Sequence, residues 1–485
     1  MNLMNIFKFI PEVKSPEEKK VSFNVKLKWT LVVLVSFFVL SNIPLFGLSG
    51  NSLEQFKYLA VILGTSFGSI ISLGIGPIVM ASVILQLLTG SGIINIDTST
   101  TEGKKFFQGI QKILTFFFII FEALIYVLMG AFQAVEGFVG LLIFQLILGG
   151  LAIYYMDDLM TKWGFGSGIS LFIGAGASWQ LVTSILQFVD AQGQNCLLNF
   201  SSTMCSGKLF VIIQSIINRY PLELFSALGA IVVTIIIFML VVWAQSLKVE
   251  IPLSMSSGNK GYAMRGYAVK WPLSFFYASV IPVILTAALI SSIQIFGGMV
   301  ETAAAPCLIE NPIECVGLAK FASYFTWLGH FSNGQAISGL AFWMGSSNLL
   351  ELTLRGGFLP TYILQGLTHT LIYMFLSTIF AVFWVKTSGM DAKAQAHKIA
   401  ASGLQISGFR QDERVLESIL ERYVIPLTVM GGMAIGFLAS ITNLMGALIS
   451  GTAILLVIMI FYQFYQNIAQ QHATDMNPAF RKFIK

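Results

Sequence analysis

From Tyr58 to Ile96 the chain runs for 39 residues without a charge, between Lys57 and Asp97. One transmembrane helix needs roughly 20 residues, so the run is too long for a single span. It is too short for two ordinary spans joined by a solvated turn. Its middle reads Leu73-Gly74-Ile75-Gly76-Pro77-Ile78-Val79, where two glycines loosen the backbone and a proline withholds a helical hydrogen bond. A short half-helix, a break and a full span satisfy these facts together. Broken backbone at membrane depth survives only where protein buries it or a water-filled cavity adjoins it. The segment therefore predicts a membrane protein with an interior path.

The remaining charges divide the chain in the same manner. Uncharged or nearly uncharged runs predict ten crossings, at Trp29–Phe46, Ile71–Leu88, Ile113–Phe132, Gly137–Met156, Ser167–Val189, Leu224–Gln245, Pro272–Ile295, Tyr362–Val385, Ile425–Ser440 and Ala447–Tyr465. Only 11% of residues are charged and 56% are hydrophobic, far from a soluble globular composition. With ten crossings, 23 of the 28 Lys and Arg fall on one side, which places both termini in the cytoplasm of a cell-membrane protein. The first ten residues, MNLMNIFKFI, do not have the charge order of a secretory signal. They read as an amphipathic surface helix or as a frayed tail.

The large cytoplasmic loops, Ser246–Trp271 and Lys386–Arg422, are basic. The large outer segments, Asp190–Pro221 and Gly297–Pro360, hold all four cysteines. Cys196 with Cys205 and Cys307 with Cys315 read as two local disulfides in an oxidising compartment, with four free thiols as the alternative. Asn199-Phe200-Ser201 matches a glycosylation acceptor, a pattern short enough to arise by chance.

Catalytic constellations are missing from the sequence. Its four histidines, His330, His369, His397 and His472, are far apart, and no phosphate loop, zinc spacing or nucleophile elbow occurs. No cofactor, metal site or enzymatic activity is expected. One acid, Glu122, falls inside a crossing, where a charge costs roughly 2.5–3.5 kcal/mol on insertion scales. It is either functional or a hydrogen-bonded packing residue. Ile75 with Val79 and Ile169 with Ile173 are i,i+4 aliphatic pairs beside glycines. Such pairs face lipid, fill a core, or, arranged around a path, form a hydrophobic constriction. Gly76-Pro77-Ile78-Val79 is echoed by Ile281-Pro282-Val283-Ile284 five crossings later, in opposite orientation, as expected of two repeats about a central path.

Six motifs in order, LGIGPIV at Leu73–Val79, GIQK at Gly109–Lys112, GSGI at Gly166–Ile169, VEIPL at Val249–Leu253, IPVIL at Ile281–Leu285 and GFR at Gly408–Arg410, resemble the SecY family, the large subunit of the protein-conducting channel. The resemblance covers nearly the whole chain and is closer to archaeal and eukaryotic members than to bacterial ones. It implies an all-α integral membrane protein of ten transmembrane helices in two pseudo-symmetric five-helix halves, with a plug half-helix. The expected organisation is a cytoplasmic N-terminus (1–28), an N-terminal half (29–190, plug about 52–70), an outer loop (191–222), a C-terminal half (223–466) and a cytoplasmic tail (467–485).

The resemblance also implies site residues. The pore ring matches Ile75, Val79, Ile169, Ile173, Ile284 and Leu456. The lateral gate, where crossings two and three meet seven and eight, matches Glu122 and Ser292. Ribosome docking matches Lys248, Arg265, Lys270 and Arg410. The implied partners are small membrane subunits of the SecE/gamma and beta type in a heterotrimer, the ribosome, an unfolded or nascent polypeptide, and the lipid bilayer. The function expected is passage of secretory polypeptides outward and release of apolar segments sideways. A secondary transporter with a midplane small-molecule site is the alternative.

Overall fold

The computed structural model describes residues 11–17, 21–51, 53, 63–90, 93–94, 96, 101–189, 195–196, 204–255, 269–278, 281–308, 318–332, 335–357, 359–401, 404–406 and 413–476. Its helices of ten or more residues are α1 (Phe23–Ser41), α2 (Gly76–Gly90), α3 (Thr101–Leu128), α4 (Val139–Trp163), α5 (Gly168–Leu186), α6 (Lys208–Asn218), α7 (Pro221–Ser246), α8 (Ile281–Leu308), α9 (Pro360–Thr387), α10 (Ala392–Ala401), α11 (Glu413–Leu444) and α12 (Gly451–Met476). Eight of these (α1, α3, α4, α5, α7, α8, α9 and α11) are long and apolar enough to cross a membrane, and shorter α2 and α12 complete the ten expected crossings. They form two bundles, α1–α5 and α7–α12, with the short amphipathic α6 in the connection.

Several boundaries depart from the sequence reading. The seventh crossing, expected from Pro272, begins at Ile281. Pro272 belongs instead to a strand, β4 (Val269–Ser274), and pairs with Glu250 of β3 (Lys248–Met255). Lys270, Trp271, Pro272 and Leu273 alternate between the sheet's two faces, a period that an apolar count does not resolve. The first crossing ends at Ser41, short of Phe46, and starts at Phe23 inside the expected N-terminal segment. The last helix continues to Met476, into the expected tail.

Small sheets cap the bundles. At one end of the bundles β1 (Leu48–Asn51) pairs with β2 (Phe132–Ala134), and β5 (His330–Ser332) pairs with β6 (Gln335–Ser338). At the opposite end β3 lies between β4 and β7 (Leu404–Ile406). Ahead of α1, residues 12–14 are strapped to the middle of α3 and the end of α4. Glu12 pairs with Lys112 at 2.5 Å and Lys162 at 3.3 Å, and Val13 N donates to Asp158 Oδ2 at 2.9 Å. The Lys112 hydrogen bond holds the Glu12 carboxyl below its usual pKa.

Cys196 and Cys205 are joined by a disulfide, with Cα atoms 5.4 Å apart. Cys196 N donates to Phe188 O at 3.1 Å, Gly207 N to Gln187 O at 2.9 Å, and Cys205 N to Gln214 Oε1 at 3.0 Å. These bonds tie the end of α5 to α6. Cys315 and Asn199, the glycosylation candidate, lie outside the described residues, as does the side chain of Cys307. Residues 1–10, read from sequence as a surface helix or tail, lie outside them too.

Candidate functional site

The irregular backbone before α2 is satisfied from within. Thr65 Oγ1 donates to the carbonyls of Ile71 and Ser72, both at 2.7 Å, and Gly68 N donates to Ser72 Oγ at 2.9 Å. Leu45 N donates to Gly68 O at 2.9 Å and Ile70 N to Ile43 O at 3.0 Å, which fastens the segment to the end of α1. Gly74 takes φ +55°, and a Cβ there would lie 2.7 Å from Thr65 Cβ. Only glycine fits that conformation and that space. Without these side-chain bonds, buried amides would lack partners at membrane depth.

The six residues matched to a ring from sequence all belong to, or pack against, the main apolar core. Ile75, Val79, Ile173, Ile284 and Leu456 are buried in one apolar cluster, and Ile169 packs against it half-buried. Ile75 immediately precedes α2, while the other five lie within the first two turns of α2, α5, α8 and α12. Two helices from each half thus contribute their opening turns to the same apolar core.

The segment ahead of the break packs onto it. Ile75 N donates to Leu63 O at 2.9 Å. Gly64 sits where a Cβ would be 3.6 Å from Ile75 Cγ2 and 3.4 Å from Phe172 Cβ. Leu53 and Leu63 are buried in the same cluster. Of the expected plug, residues 52 and 54–62 lie outside the described residues.

Around this core, α2 packs against α3 within its half and against α8 and α9 across the seam. Gly90 of α2 lies directly under the Phe383 ring of α9, where a Cβ would come within 2.6 Å of the ring. Glu122 is 4% exposed on α3. A Cβ at Gly76 would be 3.2 Å from its Oε2, so the carboxyl abuts the start of α2. Gln111 Nε2 donates to Ser82 Oγ at 2.7 Å along the same α2–α3 contact. Ser292 is half-buried on α8, whereas Ser291, one residue earlier, is fully buried. Ser291 helps line a cavity of about 180 Å³ with Gln294, Gln365, His369, Asn443 and Thr452. His369 Nδ1 donates to Met344 O at 2.7 Å there. Nothing in the sequence separated His369 from an ordinary core histidine.

The three-stranded sheet has two chemical faces. Ile251 and Leu273 are buried on Leu416, Leu420 and Val385. Lys248, Glu250 and Lys270 stand on the other face, exposed, with Lys270 Nζ 2.6 Å from Glu250 Oε2. That hydrogen bond raises the Lys270 pKa above its usual value. Arg265 and Arg410 lie outside the described residues.

A pair of helical bundles long and apolar enough to span a membrane, with broken backbone buried ahead of α2, is the architecture of a multi-pass membrane protein with an interior path. The SecY family profile matches residues 69–465, and the profile of the plug domain of Sec61p matches residues 36–68. A protein translocase subunit SecY of Methanothermobacter thermautotrophicus is 38% identical over 480 residues, 99% of this chain and 97% of that one. Among solved structures, one entitled "The structure of a protein conducting channel" superposes with TM-score 0.77 at 34% identity, covering 99% of both chains. Sec61 in the canine ribosome-channel complex from the endoplasmic reticulum superposes with TM-score 0.75 at 33% identity, again over 99% of both. The chain belongs to the SecY family. It is a multi-pass membrane subunit that forms a protein translocation pore, not an enzyme, and the transporter alternative finds no support.

Proposed function

We propose that unfolded secretory polypeptides pass from the cytoplasm outward through the ring of Ile75, Val79, Ile169, Ile173, Ile284 and Leu456. Apolar segments of roughly 20 residues leave sideways between α2–α3 and α8–α9, because they partition favourably into hydrocarbon. The observation that carries this reading is the convergence of four helix starts from both halves on one aliphatic cluster. Aliphatic side chains hold a passing chain without binding it tightly, and a narrow apolar ring excludes water and ions when idle.

Glu122 and Ser292 are the polar elements of the lateral gate in this reading. Both termini face the cytoplasm, where the basic loops and the exposed face of β3–β4 receive the ribosome through Lys248, Lys270, Arg265 and Arg410. An RNA-rich partner suits cationic surface, and its grip weakens with salt. Two small membrane subunits of the SecE/gamma and beta type brace the halves, and the setting is the cell membrane.

The test is conductance. Replacing Ile75 and Ile284 together with Ser wets the ring, so idle channels in planar bilayers should leak ions. Conductance equal to that of the unaltered channel would refute the ring assignment.

A further inference from the structure

Helix α6 is built inside out. Of its eleven residues, the buried ones are Gln214 (0% exposed), Ser215 (2%) and Val211 (6%). Gln214 is held there by Cys205 N, and Cys205 by its disulfide to Cys196. Leu209, Ile213, Ile216 and Ile217, spaced i, i+4, i+7, i+8, form the outward stripe, and the last two are 62% exposed. A soluble surface has the opposite polarity, and an exposed apolar patch of this kind marks a membrane or partner contact.

The stripe continues the outward faces of the helices on either side. Val182 and Leu186 are exposed at the end of α5, as are Leu222 and Phe225 at the start of α7. Cations bracket it: Lys208 opens the helix and Arg219 closes it in the left-handed conformation at φ 55°. They sit about 16 Å apart along the axis. Exposed Tyr220 follows, the residue type that settles at headgroup level.

We propose that α6 lies in the plane of the outer membrane surface. Its Leu209–Ile217 stripe sits at the acyl boundary, and Lys208 and Arg219 contact anionic lipid headgroups. The occupant is bilayer lipid, because the stripe joins two spanning helices and its ends carry headgroup chemistry. α6 joins the two halves of the molecule, so its seat on the lipid surface fixes the level at which one half turns against the other. The inference rests on the membrane-spanning reading and not on what passes through the pore.

The photo-reactive substitutions Ile213→p-benzoylphenylalanine and Ile217→p-benzoylphenylalanine test it. The purified complex is used in nanodiscs of equal parts phosphatidylglycerol and phosphatidylcholine. Phe225→p-benzoylphenylalanine on α7 reports on the spanning fold itself. Lipid adducts are expected at all three sites, with phosphatidylglycerol enriched at least twofold at positions 213 and 217. Lys208→Gln with Arg219→Gln should abolish the enrichment and keep the adducts. Protein adducts alone, or none, at 213 and 217 while 225 labels lipid would overturn the proposal and leave the channel reading intact. Equal labelling of the two lipids in the unaltered cations would overturn the headgroup contact. Absence of lipid adducts at 225 would instead sink the spanning reading.

Discussion

Gly74 shows how much of the seal depends on one residue. Its positive φ and its contact with Thr65 let Leu63 O reach Ile75 N, which joins the outer segment to the ring. Gly74→Ala puts a methyl group into both constraints and should cost about 1–3 kcal/mol of local closure. Amide exchange over residues 63–76 should then quicken about fivefold or more, at about 1.4 kcal/mol per factor of ten, with the α11 core unchanged; equal exchange would remove the lock. The sequence showed that this stretch must break, since glycines and a proline interrupt an uncharged run. It did not show the Thr65 and Ser72 bonds that satisfy the break, because hydroxyls bonded to carbonyls six or seven residues away leave no periodic trace. Ser291 and Ser292 make the same point, because one residue turns a side chain about 100° around a helix.

Among the elements, helices were more legible than strands. Charge spacing marked all ten spans, yet several helices run past the charges used to bound them, as α11 does from Glu413. A charge at the membrane edge limits a span but not a helix. β3 and β4 were missed because each face of the sheet is short and Pro252 and Pro272 obscure the alternation. That sheet carries a prediction of its own. Lys248→Glu with Lys270→Glu reverses two exposed charges on one face and leaves the buried Ile251–Leu273 face intact. Ribosome affinity should fall at least tenfold, and its salt dependence should become shallower. An unaltered affinity in a binding titration at physiological salt would free this face from docking.

For the whole molecule, the decisive contact is the seam between halves, where Gly90 meets Phe383. Gly90→Cys with Phe383→Cys, oxidised, should staple α2 to α9 and block lateral release of apolar segments several-fold more than outward passage of a soluble polypeptide. Equal inhibition of both, or of neither, in reconstituted vesicles would place the exit elsewhere. The ten-span layout was legible because lipid imposes one rule on every span, whereas the meeting of distant turns is a tertiary event. That meeting has an electrostatic consequence. Each of α2, α5, α8 and α12 brings the positive end of its macrodipole, worth about half an elementary charge, close to the ring. In the proposed path the ring is thus bordered by positive potential from the backbone, without a lysine or arginine among the ring residues. In a channel made leaky at Ile75 and Ile284, chloride should therefore outpace potassium, and the reversal potential in a salt gradient would read that preference directly.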